Sequence, residues 1–106
     1  MTDAIVILIT AGSADEAAVI ARTLVDEHLA ACVNILPGVR SFFFWEGATQ
    51  DASETLMICK SRSPLLEPVI ARVRSLHSYA VPEIIALPIA GGLPDYLTWL
   101  DNSTKP

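Results

Sequence analysis

One seven-residue stretch holds His77, Tyr79 and Glu83, side chains able to bind a cation or move a proton. An imidazole, a phenol and a carboxylate this close together can meet around a metal or a polar ligand. Equally, His77 can close a helix while Glu83 binds backbone amides or Lys60, and the residues alone leave the two readings open. The chain's other imidazole, His28, recurs at helical spacing with apolar residues, where packing or the helix dipole is the ordinary explanation. Trp45-Glu46-Gly47 ends an aromatic run, and Lys60, beside an apolar run, is expected to pair with a carboxylate. Gly91-Gly92 reads as a turn. Cys32 and Cys59 have no CxxC spacing and are expected as reduced, buried thiols. There is no P-loop, HExxH, GxSxG or glycine-rich dinucleotide motif, and no nucleophile beside a base at a recognisable spacing. A non-enzymatic protein is expected.

The elements that must position these groups follow from hydrophobic periodicity. Ala4 to Thr10 is a short β-branched run and reads as a buried strand. Ser13-x-x-Glu16 is a capping box opening a helix, with Ala17, Ile20, Ala21, Leu24, Val25 and His28 on one face. Leu29 to Ile35 and Val39 to Trp45 read as one long strand bent or bulged at Pro37-Gly38. Ser53 to Lys60 returns as its hairpin partner after a loop from Glu46. Ser63-Pro64 is expected to cap a second helix running to His77, its regular part starting nearer Leu66 because of Pro68. Glu83 to Ile89 is a last strand, suited by Pro88 to an edge. Pro94-Asp95 opens a short terminal helix in which Leu97 and Leu100 can dock. The order βαββαβ, with right-handed crossovers, predicts an α+β fold in one domain over residues 1–106. It is a ferredoxin-like antiparallel sheet with both long helices on one face and the other face bare.

Composition bears on that bare face. In 106 residues, 52% are hydrophobic and 18% charged, and the net charge is −5. A chain this short buries only about 65% of its unfolded surface, so its apolar side chains exceed what one core hides and an oligomer is expected. The seven basic residues are scattered, which excludes a nucleic-acid face. The longest apolar run, Ala4 to Ile9, is far below the ~20 residues that span a bilayer. No positive segment precedes it as in a signal peptide, so a soluble, cytoplasmic protein without membrane contact is expected.

Several of these segments together resemble the CutA family of divalent-cation tolerance proteins. They are Leu29-Ala30-Ala31-Cys32-Val33-Asn34, Pro37-Gly38, Trp45-Glu46-Gly47, Lys60, His77 with Tyr79, Pro82-Glu83-Ile84 and Asp95-Tyr96-Leu97, in order over nearly the whole chain. The resemblance implies a compact homotrimer, tolerance to copper and other divalent metals, and a pocket between subunits near Trp45, Lys60, His77, Tyr79 and Glu83. This sequence has Ile9 where some members carry a copper-linked cysteine, Ser78 within the usual His-Pro-Tyr, and Leu76 where some carry another histidine. Without thiolate, copper(II) or another divalent cation held by His77 and Glu83 is the implied form, with no metal required for folding. The family's likeness to PII signalling proteins implies an alternative, a small anionic ligand bound between subunits through Lys60. A purely structural trimer is the third reading.

Overall fold

The computed structural model describes residues 2–105. Its elements are β1 (Ala4–Ala11), α1 (Ala14–Asp26), β2 (Cys32–Trp45), β3 (Ala48–Arg62), α2 (Leu66–Leu76), β4 (Ile84–Pro88) and α3 (Pro94–Ser103). The four strands form one antiparallel sheet in the order β2-β3-β1-β4. Element order and sheet order are those of the expected α+β architecture.

Alternation along the strands creates two unlike faces. Ile5, Ile7 and Ile9 of β1 and Met57 and Cys59 of β3 point to the helices, packing with Ala17, Ile20 and Leu24 of α1 and Val69 and Val73 of α2. Fully burying each large side chain of this set contributes about 1.5–3 kcal/mol. The opposite face carries Val6, Leu8, Leu56, Ile58, Ile85 and Leu87 and is covered by nothing among the described residues. Leu100 of α3 docks beside Ala4 and Ala31, as its spacing predicts. Arg62 secures the end of α3, its guanidinium donating to Thr104 Oγ1 at 2.7 Å and to the Thr104 carbonyl at 3.1 Å.

The strands differ from expectation mainly at the hairpin. Glu46 and Gly47, at φ 51° and 81°, make a two-residue turn, so the expected loop to Ala52 is strand instead. The bulge lies where Pro37-Gly38 predicts it, between Leu36 and Val39, with Gly38 at φ 75°. Beyond it, residues 39–54 pair only with each other, because β1 ends at Ala11 opposite Thr55. The hairpin is therefore an arm projecting from the body, and its aromatics stay open, Phe42 at 63% and Phe44 at 73% exposure.

Ser63 does not cap α2. Its N–H and hydroxyl both donate to the Asp3 carbonyl, and Ser63–Leu65 forms a single 3₁₀ turn before the helix. Pro68 then falls in the first turn of α2, where a missing N–H removes no helix bond. α1 ends at Asp26, two residues short of His28, which takes φ 60° and sets its ring nitrogen 3.3 Å from the Ser103 carbonyl. That explains His28 as a tie between α1 and α3. Cys59 is buried, and burial first, then Cys32, pushes its thiol up to about 12. Cys32, expected buried, is only half-buried because it stands on the uncovered face.

Candidate functional site

Where the arm leaves the body, the uncovered face lines an open cavity of ≈ 830 Å³. The arm supplies Ser41, Phe42, Phe43, Trp45, Glu46, Gln50 and Glu54, β1 supplies Thr10, and the segment after α2 supplies Tyr79, Ala80, Val81 and Glu83. Alternation brings Ser41, Phe43 and Trp45 to one side of β2, opposite Ala52, Gln50 and Ala48 of β3.

The 77–83 segment is held by a chain of directed hydrogen bonds. His77 Nε2 lies 2.7 Å from the Thr10 carbonyl, and the Tyr79 N–H donates to His77 Nδ1 at 3.0 Å. These partners assign the proton to Nε2, and the ring is fully enclosed, with 0% side-chain exposure. Glu16 reaches across from α1, accepting from the Ser78 N–H at 2.7 Å and the Gly12 N–H at 3.2 Å. Partial burial pushes the Glu16 carboxyl up, but the donors of Ser78 and Gly12 outweigh it and leave it below its usual range. The Tyr79 ring packs against that of His77 at 4.7 Å, tilted by 54°, and its O–H donates to Glu54 Oε2 at 2.9 Å. Burial first, then the Glu54 carboxylate, pushes the Tyr79 phenol up to about 12, so it stays a donor across the neutral range. Glu54 is 8% exposed, and its other oxygen accepts no hydrogen bond from the described residues.

Trp45, Tyr79 and Glu83 are thus brought to one cavity. His77 stands behind it, both ring nitrogens engaged, so it meets a cation only by releasing one of those bonds. Lys60 is not there: it lies on the uncovered face opposite Cys32, its ammonium bonded to the Asn34 side chain instead of the expected carboxylate. No basic side chain lines the cavity, while Glu46, Glu54 and Glu83 do. That arrangement attracts cations and repels anions, and it gives an anionic ligand of Lys60 no support. Among the described residues, no group of three or more His, Cys, Asp or Glu side chains converges as a metal-holding set. Sequence reasoning missed Glu54 and the reach of Glu16. The capping box had Glu16 returning to Ser13, but only the Ser13 Oγ half forms, and the carboxylate goes to Gly12 and Ser78. Glu54 carries a local signal in hindsight, an acidic residue inside a strand pattern.

Residues 5–103 match the family of the CutA1 divalent ion tolerance protein. The chain belongs to the CutA1 family. Among its relatives, the divalent-cation tolerance protein CutA of Thermus thermophilus is 46% identical over 99 residues, covering 93% of this chain and 96% of that protein. The chloroplastic CutA protein of Arabidopsis thaliana is 50% identical over 101 residues, 95% of this chain but 56% of that protein, so the chain spans just over half its plant relative. The solved structure of the periplasmic divalent cation tolerance protein CutA from Archaeoglobus fulgidus superposes with a TM-score of 0.94 at 45% identity, covering 96% of this chain and 99% of that one. Two CutA1 relatives thus carry the names chloroplastic and periplasmic, which overturns the expectation of a cytoplasmic location drawn from the apolar pattern alone. No helix among the described residues is long and apolar enough to cross a membrane.

Proposed function

We propose that this chain is a non-enzymatic divalent-cation tolerance protein that works as a homotrimer and takes its cation at the cavity on the uncovered sheet face. The observation that carries the reading is the sign of the cavity, three carboxylates and no cation among its lining residues. Family membership supplies the class of cation, and the apolar face through Leu8, Ile85 and Leu87 supplies the reason for copies to associate. Glu83 is the principal ligand, with Glu54 or Glu46 as an oxygen partner, and copper(II) or another divalent ion is the cargo. His77 serves first as the post that holds the 77–83 segment, and it joins the ligands only where a cation displaces Tyr79 N–H from Nδ1.

The test is calorimetric titration of metal-free protein with copper(II), beside Glu83→Gln and with light scattering to fix the oligomer. One saturable site per subunit, weakened by Glu83→Gln, is expected. An intact trimer with no saturable site would overturn the metal reading, and a stable monomer would overturn the assembly.

A further inference from the structure

A hydrated divalent metal uses only oxygens of this cavity, yet four of its twelve lining residues are aromatic. Phe43 and Trp45 line it beside Glu46, Glu54 and Glu83, with Tyr79 closing the base. A divalent metal ion must shed tightly held water to reach a ring face and gains little there, whereas an alkylammonium or guanidinium over an aromatic ring is attracted by the ring's negative face and needs less dehydration. The arm itself supplies an instance. The Arg40 guanidinium lies 4.9 Å from the centre of the Phe42 ring while pairing bidentately with Asp51 at 2.9 and 3.0 Å. A ring face plus a carboxylate thus already holds an organic cation on this hairpin, at a ring that itself borders the cavity.

A volume of ≈ 830 Å³ falls in the range of small-molecule sites and far exceeds one metal ion. Glu54 adds a carboxylate with one oxygen accepting from Tyr79 and the other still reached by solvent, placed to meet a cation in the cavity. We propose that the cavity is a binding site for a small organic cation, an amine, quaternary ammonium or guanidinium group held by the Trp45 and Phe43 rings and by Glu83 and Glu54. This deepens the cation reading above and rests on it only for the sign of the charge.

The probe is tetramethylammonium chloride, followed by the proton resonance of its methyl groups, with tert-butanol as a neutral molecule of the same shape and sodium chloride to match ionic strength. Stacking over Trp45 and Phe43 moves the methyl resonance upfield in a saturable way. Replacing the ring weakens binding about five- to thirty-fold, the range of one cation–π contact, and removing the Glu83 charge weakens it through lost coulombic attraction alone, since the probe has no N–H to donate. Expected are a shift from tetramethylammonium and none from tert-butanol, loss of the shift in Trp45→Leu, recovery in Trp45→Phe, and weaker binding in Glu83→Gln. Trp45 lies on the exposed arm, so these variants keep the core intact. No saturable shift, equal shifts from both probes, or an unchanged shift in Trp45→Leu would overturn the proposal. A shift seen only at dilutions where copies separate would give the cavity to a second copy and overturn it too. Copper(II) binding that needs Glu83, without tetramethylammonium binding, leaves the metal reading standing and this one refuted; the reverse result refutes the metal reading alone.

Discussion

Replacing Tyr79 by Phe removes one oxygen and leaves the ring, its tilted contact with His77 and the backbone N–H to Nδ1 in place. What disappears is the 2.9 Å hydrogen bond to Glu54 Oε2, which leaves a carboxylate of 8% exposure without its protein donor. A hydrogen bond to a charged group contributes about 1.5–3 kcal/mol, and a buried charge without its donor adds a desolvation cost. A water entering from the cavity can replace the hydroxyl in part, which sets the expected loss near the lower end, about 2 kcal/mol. At about 4–8 °C per kcal/mol for a domain of roughly this size, the melting temperature should fall by about 8–16 °C. The assay is thermal unfolding at fixed protein concentration, since association alone moves the midpoint. Glu54→Gln and the double variant complete a mutant cycle, and a coupling of about 1 kcal/mol or more is expected. A midpoint within about 2 °C of the parent, or strictly additive single effects, would refute the claim that this pair anchors the 77–83 segment to the arm.

Glu16→Gln tests the other anchor. A carboxyl held below its unfolded value stabilises the fold above the ordinary carboxylate pKa of about 4.3 and loses that contribution as pH falls through its lowered folded value; the stability gap between parent and variant should therefore close in acid urea titrations. Ile7→Ala, at the centre of the core with 0% exposure, should cost about 2–5 kcal/mol by denaturant unfolding. Ile85→Asp with Leu87→Asp places two charges on the uncovered face and should abolish the proposed association, read as a smaller species by light scattering than the parent gives, while the core residues of β4, Ile84 and Ala86, keep it folded. Gly47→Ala forces a side chain into φ 81° and should destabilise the hairpin turn by about 1 kcal/mol, read by hydrogen exchange along the arm.

Where local chemistry decided the structure, the sequence was enough to read it. Alternating isoleucines in β1, the Ser13 cap and the Pro37-Gly38 bulge each require nothing beyond their neighbours. Expectation failed where distant residues intervened. Ser63 has the right residue type for a cap, but the Asp3 carbonyl, 60 residues away, takes its donors. The Glu46 turn is tighter than its composition suggests because the aromatic strand continues its pairing through Ala48. The site divides the same way. Trp45, Tyr79 and Glu83 were legible as unusual side chains in short segments, and they do share a cavity. Nothing local reveals that Thr10 would take the imidazole of His77, 67 positions later, or that Glu54 would lie beneath Tyr79. A histidine's chemistry depends on which of its nitrogens is spoken for, and only the tertiary contacts state that.

The order β2-β3-β1-β4 leaves β2, 14 residues long, with its outer border of amides and carbonyls unmatched by any strand among the described residues. Such a border can recruit any extended chain nearby. Two features lessen the hazard. Pro37 contributes no N–H, and the bulge throws the border out of step midway, so an intruding strand that matches residues 32–36 falls out of register with residues 39–45. The irregularity thus acts as a gatekeeper, and a chain straightened there should fold as well when dilute yet be recovered poorly when concentrated.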